Sequence, residues 1–579
     1  MLKQYLPILQ WLSTYRSSYI KGDLAAGFTV GVMLVPQAMA YALIAGLPPV
    51  YGLYAALVPT LLYGVFGSSR KLAVGPVALD SLIVASGLAS LQLATTAQYI
   101  EMAIFLALFV GTLQLLMGFA KMGFLANYLS RPVVSGFTSA AAIVISVSQL
   151  KYLIGIPIES GSGTLKTLNQ LFQNLGQTNL FDLGIGLTAI LIIVLLKKRS
   201  RKLPGAVFVV TFSILGVYFF EEYHSSLSLV GSIPGGLPSF HLALPELNQW
   251  GSVFPLALAL AFIAFAEAMT MVKALEDKAQ TRYTQPNQEL RALGISNIIG
   301  SLFQAYPTNA SFSRSAIMVD EGARSGLASI ISALVVGATL LFFTDFFQYL
   351  PNAVLGASIL VAVYGLIDFK YPVELWQRQR DEFGVLALTF LTTLLIGISE
   401  GIIFGVLFSL LLLVYRTSKP HVAVLGKIKG TNYFKNVSRF SEDIQVDDDM
   451  LIVRFDGQLY FANMDYFKKT LYDNVSKKGK ALKSVVLNAE SINYMDSSAT
   501  TMLHQIISDL KEKDIDIYIA GAIGPVRDIL HTSGLNEAIG EDNFFVRTNE
   551  AVDFCLNKGP RTQIQKKISG QSRKFSAKG

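Results

Sequence analysis

The chain is poor in charge, cysteine and histidine. Of its 579 residues only 15% are Asp, Glu, Lys or Arg. Soluble domains carry about 25% charge, so one large soluble globule is excluded. A single cysteine excludes an intramolecular disulfide framework and any Cys-based metal cluster. The five histidines are scattered, and no nucleophile and base stand at a recognisable spacing. That argues against an enzyme and leaves no candidate for a metal or an organic cofactor. No cleavable signal peptide is visible, and residues 1–22 read as a polar and aromatic cytoplasmic lead-in.

What the chain has is apolar surface. Hydrophobic residues make up 52%, with 37 Phe and 24 Tyr, which excludes disorder. The net charge of +7 suits nucleic acid, an anionic membrane face or the positive-inside bias of a membrane protein. Its distribution decides. Residues 1–420 hold 25 basic and 20 acidic residues, and residues 421–579 hold 22 and 20. Charge therefore steps from about 11% to about 26%, the soluble norm. A membrane region precedes a soluble domain, and nucleic acid is not the expected partner.

Crossing about 30 Å of hydrocarbon takes about 20 apolar residues. Candidate segments lie near 24–45, 50–67, 77–93, 100–120, 131–150, 181–196, 204–220, 252–275, 289–305, 313–322, 324–344, 351–367, 382–398 and 400–416. These fourteen put both termini on one side. With that side cytoplasmic, the inner loops carry Arg70, Lys71, Lys121, Arg131, Lys197, Lys198, Arg199, Arg201, Lys202, Lys273, Lys278, Arg282, Arg291, Arg324, Lys370, Arg378, Arg380, Arg416 and Lys419. The outer loops carry only Lys151 and Lys166. The asymmetry predicts a multi-pass protein of the inner (plasma) membrane, with lipid around residues 23–418.

Inverted-repeat transporters betray themselves by short, Gly/Pro-interrupted segments in corresponding positions. The third segment opens with AVGPVALDS (73–81), and FQAYPTNASFSRSA (303–316) precedes and opens the tenth. They stand seven segments apart, as a 7+7 repeat requires. Two helix starts facing one another near the midplane favour an anion. Arg314 begins the tenth segment, with the hydroxyls of Ser311 and Ser313 beside it. An intramembrane charge marks a pathway or an ion pair, here with Asp80 or Glu267. Glu267 sits in AFIAFAEAMTMV, and Asp80 lies one turn into the third segment. Buried carboxylates are protonated or paired with a cation, which fits coupling to H+ or Na+ or a salt bridge to Arg314. In the first segment Pro36 is expected to break the helix. Gln37 and Tyr41, at i and i+4, share a face that suits an oxyanion or plain packing.

Beyond residue 420, MLIVRF (450–455), SVVLNA (484–489) and IDIYIAG (515–521) read as strands, with helices from Met464, Ser497, Pro525 and Asn549. Alternating β and α favours a small α/β sandwich. The stretch LNAESINYMDSSATTMLHQI resembles a STAS domain. Asp496 and Ser497 suit a helix N-cap. By resemblance to soluble antagonists of this fold, Ser497 or Ser498 is a phosphorylation candidate, and a cytoplasmic regulator is a candidate partner. Residues 419–557 form this domain, and 558–579 read as a basic, disordered tail.

Together with this domain, VPQAMAYALIAGLPPVYGLY, VGPVALDS, the Glu267 segment and GSLFQAYPTNASFSRSAI resemble the sulfate permease (SulP) family. The resemblance implies an all-α membrane domain of fourteen spans in a 7+7 inverted repeat, like uracil permease, plus the α/β STAS domain. It implies a core (spans 1–4 and 8–11) moving against a gate (5–7 and 12–14), usually in a homodimer. It places the anion at Gln37, Tyr41, Pro76, Val77, Ala78, Ser311, Phe312, Ser313 and Arg314. Glu267 matches a span-8 carboxylate that is an Asp in Na+-bicarbonate members. Gln37 replaces a Glu of some proton-coupled members, and Met271 replaces a Thr of the Na+ pattern, with Asp80 as a substitute oxygen. The expected activity is uptake of a small inorganic anion, foremost sulfate with H+ (or Na+). The alternatives are bicarbonate or dicarboxylate transport with Na+, or an anion sensor signalling through the STAS domain.

Overall fold

A computed structural model describes residues 6–557, except 90, 92, 94, 128, 129, 157–163, 200–204, 221–225, 246, 280–284 and 441–443. Arg201, Lys202, Arg282 and the tail 558–579 lie outside the described residues, as do the side chains of Lys273 and Lys278. The chain divides into two compact units, Met1–Ser409 and Leu410–Gly579.

The first unit is built on helices at each of the fourteen expected segments. They are α1 (Ile20–Ile44), α2 (Pro49–Phe66), α3 (Ala78–Ala89), α4 (Thr96–Phe119), α5 (Arg131–Ile154), α6 (Leu180–Arg199) and α7 (Gly205–Phe219). The second set is α8 (Leu247–Ala279), α9 (Pro286–Leu302), α10 (Phe312–Asp320), α11 (Leu327–Phe342), α12 (Asn352–Tyr364), α13 (Arg380–Leu395) and α14 (Ile398–Ser418), and the unit boundary falls within α14. Among the described residues seven helices are long and apolar enough to cross a membrane alone. Helices α3 and α10 are short because each starts after an extended stretch. Those stretches hold two strands that sequence periodicity does not reveal, β1 (Val74–Gly75) and β2 (Asn309–Ala310), paired antiparallel. Pro36 does not break α1, which runs unbroken through it. One lost hydrogen bond is tolerated where neighbouring helices hold the backbone.

The packing repeats itself. Helix α4 packs on α9, and α11 on α2; α1 packs on α11, and α8 on α4. Likewise α1 meets α3 and α10, while α8 meets α10 and α3; α5 meets α13, and α12 meets α6. Adding seven to one contact gives its partner, the signature of two like halves. Small residues permit the closest approaches. A Cβ on Gly111 would meet the Gly294 carbonyl oxygen at 2.7 Å, and one on Gly294 would meet that of Gly111 at 2.8 Å. The counterpart pair is Gly64 and Gly326, where the same addition would bring 2.9 and 2.2 Å contacts. Apolar side chains on α6, such as Leu187, Leu191 and Leu195, face outward, as contact with lipid requires.

The second unit holds a seven-stranded sheet. Strand β3 (His421–Ile428) pairs antiparallel with β4 (Phe434–Asn436), β5 (Ile444–Gln445) and β6 (Met450–Asp456). Strand β6 continues in parallel to β7 (Ser484–Asn488), β8 (Asp516–Ala520) and β9 (Phe544–Phe545). Helices α15 (Met464–Lys478), α16 (Ser497–Lys511), α17 (Gly524–Thr532) and α18 (Thr548–Asn557) connect or follow the strands. Leu451, Val453 and Phe455 of β6 pack against Phe467 and Leu503 in the main core. The alternate residues Met450 and Ile452 pack with Tyr518 and Phe545 in a second cluster. Both faces are therefore covered, as the period-two runs imply.

Introducing a β-branched side chain at either glycine contact should overpack it. Gly111→Val and Gly64→Val are each expected to destabilise by about 1–3 kcal/mol. The measurement is thermal unfolding of the purified protein in detergent. An unchanged Tm in both would show that these helices do not approach so closely.

Candidate functional site

The site is built where β1 and β2 cross. Their antiparallel pairing sends α3 and α10 away from the crossing in opposite directions, with both N-termini near it. The junction is extended by side chains. Ser311 donates its backbone N–H to the Ala73 carbonyl at 2.9 Å, and the Ala73 N–H donates to Ser315 Oγ at 2.9 Å. Thr60 Oγ1 on α2 donates to the Val74 carbonyl at 2.8 Å. On the other strand, the Thr308 N–H and hydroxyl both donate to Asn297 Oδ1 on α9, at 2.8 and 2.9 Å. Asn297 Nδ2 in turn donates to Gln114 Oε1 on α4 at 3.1 Å. Each polar backbone group held this way spares the unit an unmatched donor or acceptor in lipid.

Arg314 is the largest fully buried side chain among the described residues. One terminal nitrogen donates to the Pro76 carbonyl at 3.0 Å, and the other reaches Gln37 Oε1 at 3.4 Å. Its Nε is buried and has no hydrogen-bond partner among the described residues. No ion pair joins it to Asp80 or Glu267 among the described residues. Tyr41 and Tyr306 are the electrostatic neighbours of the guanidinium, and Tyr306 Oη meets Ser81 Oγ on α3 at 3.0 Å. Buried cations need an opposite charge; among the described residues, all the hydrogen-bond partners of this one are neutral.

The remaining expected residues gather around this point. Val77 and Ala78 are buried at the start of α3, where the Val77 carbonyl accepts from the Ser81 N–H. Ser311 precedes α10 without capping it through its side chain, and its Oγ meets Ser313 Oγ at 3.3 Å. Phe312 is half exposed, at 52%, and projects from the same turn.

Asp80 and Glu267 form a second group, linked by an amide the sequence did not single out. Asn309 Nδ2 donates to Glu267 Oε2 at 3.2 Å, and the same side chain lies against Asp80. Asp80 Oδ1 is buried with no hydrogen-bond partner among the described residues. Three further buried carboxylates show the contrast. Glu289 on α9 accepts from Tyr63 Oη at 2.8 Å, from the N–H groups of Ser68 and Ser69 at 2.9 and 2.8 Å, and from Ser68 Oγ at 2.5 Å. Asp23 accepts from Tyr15, the N–H groups of Arg324 and Ser325, and Ser325 Oγ. Asp182 accepts from the N–H and Oγ of Ser228. Those three have the donors a carboxylate needs, whereas Asp80 and Glu267 share one amide.

Ser497 and Ser498 lie in the other unit. Ser497 is the exposed first residue of α16, and Ser498 is half-buried. The N-cap is Asp496, which accepts from the Ala499 N–H at 2.8 Å and from the Phe461 N–H at 2.9 Å.

Fourteen helices in two like halves, joined at paired half-helix starts, are the architecture of a membrane transporter, and the C-terminal unit is a separate α/β domain. Comparison with known proteins narrows the class. The sulfate permease family model matches residues 20–389, and the STAS domain model matches residues 441–551. The chain is 37% identical to the chloroplastic sulfate transporter 4.1 of Arabidopsis thaliana, over 98% of this chain and 85% of that one. It is 33% identical to human solute carrier family 26 member 6, over 83% and 68%. The structure of the murine solute carrier 26 family member A9 anion transporter, in its inward-facing state, superposes with a TM-score of 0.89 at 26% identity, covering 96% of this chain and 94% of that one. The transmembrane domain of the cyanobacterial bicarbonate transporter BicA shares the fold, with a TM-score of 0.60 at 20% identity over 69% and 98%. The chain belongs to the sulfate permease family: it is an anion transporter with a 7+7 inverted-repeat membrane domain and a C-terminal STAS domain.

Glu289 serves the fold rather than the anion. Glu289→Ala strands its donors and is expected to cost about 3 kcal/mol of stability. The folded fraction of that variant should bind sulfate as wild type does, measured by labelled-sulfate binding. A selective loss of affinity would move Glu289 into the site.

Proposed function

We propose that this protein takes up sulfate by secondary active transport, coupled to H+, with both termini on the cytoplasmic side of the plasma membrane. One observation carries the reading: a fully buried guanidinium, between two half-helix starts, with only neutral partners among the described residues. Such a cation is stabilised when an anion enters, and the helix dipoles add to the attraction. In this reading Arg314, Gln37 and Tyr41 contact the oxyanion. The backbone of Pro76, Val77 and Ala78 and the turn Ser311, Phe312 and Ser313 enclose it. The names of the plant relatives support sulfate as the cargo.

Coupling runs through the other group. Asp80 and Glu267 face one amide, with no cationic side chain paired to either among the described residues. Two carboxylates so placed cannot both stay ionised without a proton or a cation between them. Met271 offers a thioether where a Na+ ligand needs oxygen, so H+ is favoured over Na+. The chain alternates access by an elevator motion of α1–α4 and α8–α11 against α5–α7 and α12–α14, as a homodimer. The STAS domain regulates it, with Ser497 or Ser498 open to phosphorylation and a cytoplasmic partner as the reader.

Reconstituted vesicles supply the test. Labelled sulfate should accumulate when a pH gradient is imposed, ahead of bicarbonate and fumarate, and a Na+ gradient should drive little. Flux of no anion at all would replace this reading with that of a membrane anion sensor. Arg314→Ala removes a charged hydrogen-bond donor worth about 1.5–3 kcal/mol, so sulfate affinity should fall by about ten- to a hundredfold. Unchanged affinity would make Arg314 purely structural. Glu267→Gln should abolish accumulation driven by the pH gradient while sulfate still binds. Intact accumulation would remove Glu267 from the coupling path.

A further inference from the structure

A short helix, Lys370–Arg378, links α12 to α13. Its residues fall into three stripes with helical spacing, each on one face. Tyr371 and Leu375 are buried and cluster with Phe383 and Leu386 of α13. Lys370, Glu374 and Gln377 are polar and exposed. Phe369, Val373 and Trp376 are apolar, yet 63%, 56% and 54% exposed. The backbone of Phe369, just before the helix, is already helical, so this residue extends the third stripe. A linker helix between protein and water needs two faces, one packed and one polar. The third face here is apolar and open, which calls for a third medium.

We propose that this stripe is sunk into lipid just below the phospholipid headgroups, making the short helix an in-plane anchor of the membrane unit. Three observations favour bilayer lipid as the occupant. The helix joins two of the fourteen spans, so it begins and finishes where they do. Aromatic rings continue the stripe onto both. Tyr364, the last residue of α12 and 68% exposed, has its ring 6.4 Å from that of Phe369, and Phe383 of α13 stands edge-on to Trp376 at 5.0 Å. Tyrosine and tryptophan collect at this depth because one end of each is apolar and the other polar. Finally, the Arg380 guanidinium lies 5.4 Å from the centre of the Trp376 ring. A long arginine stem can lie along an apolar layer while its head reaches water. On the polar side, Arg378 pairs with Glu374 at 3.1 Å and leaves the apolar stripe uncharged.

The anchor is tied to two spans. Asp368 Oδ1 accepts from the N–H groups of Lys370 and Tyr371, both at 3.1 Å. The Asp368 N–H donates to Ser139 Oγ on α5 at 3.3 Å. The guanidinium of Arg131, the first residue of α5, lies 4.2 Å from the centre of the Tyr371 ring. An interfacial helix buries its apolar face about 5–10 Å into the boundary between headgroups and chains. Inserted in this way, the helix sets the depth of α5 and α13 in the bilayer, whichever anion the protein carries.

The test uses the full-length protein in phosphatidylcholine bilayers. Trp376 fluorescence is read as the difference between wild type and Trp376→Phe, which leaves Trp11 and Trp250 in both. Bromine placed on the acyl chains just below the headgroups should quench this difference several-fold more than bromine at the chain ends or iodide in the water. Gln377→Trp added to Trp376→Phe moves the indole to the polar stripe, where iodide should become the stronger quencher. Both substituted positions are exposed, so the fold is retained. Quenching of Trp376 by iodide and not by lipid bromine would put the stripe in water and overturn the proposal. Shielding from every quencher would mean that protein covers it, a second copy included, and would refute it equally. Strongest quenching from the chain ends would place the helix deep in hydrocarbon, against an in-plane anchor.

Discussion

The short antiparallel pairing of Val74–Gly75 with Asn309–Ala310 is the constraint on which the membrane unit turns. Extended backbone inside a bilayer must find partners within the protein. Here each broken segment supplies the other's partners, with Thr60, Ser315 and Asn297 completing the set. That single crossing fixes where two helices begin. It brings a guanidinium from one segment against a carbonyl from the other. It also brings the amide of Asn309 to the carboxylates of α3 and α8.

Two kinds of buried charge follow. Asp23, Asp182 and Glu289 are surrounded by donors and behave as fasteners. Arg314, Asp80 and Glu267 are left short of partners. A structure that satisfies three carboxylates fully has the means to satisfy others, so the shortfall is local to the crossing. The separation of the cation from both acids is equally informative. Were they paired, the charges would cancel, and neither an anion nor a cation would gain by entering.

Much of this was legible in the sequence. Apolar length located all fourteen helices, because burial in lipid leaves few alternatives for such runs. Period-two patterning located β6, β7 and β8 in the second unit. The Gly/Pro interruptions around Pro76 and Pro307 marked the two broken segments. Other features were not legible. Strands β1 and β2 have two residues each, too few to show a period. Asn309 and Tyr306 look like loop residues until the chain is folded, since their partners lie on distant helices. Asp23, Asp182 and Glu289 sit near segment ends, where sequence alone reads a charge as solvated. Pro36 carried a false signal: a proline in a helix wrapped by neighbours need not interrupt it. Strands β3, β4, β5 and β9 went unread because they are short or follow directly on a membrane helix.

The carboxylate fasteners have a mechanical consequence. Asp23 ties the beginning of α1 to the backbone entering α11, and Glu289 ties α9 to the backbone leaving α2. Each tie clamps main chain to side chain at several points, so neither junction can act as a hinge without stranding a buried charge. With the glycine contacts between α4 and α9 and between α2 and α11, these ties weld five helices into one stiff block. Within the membrane unit, the surfaces outside that block are therefore the ones that could slip without breaking these ties.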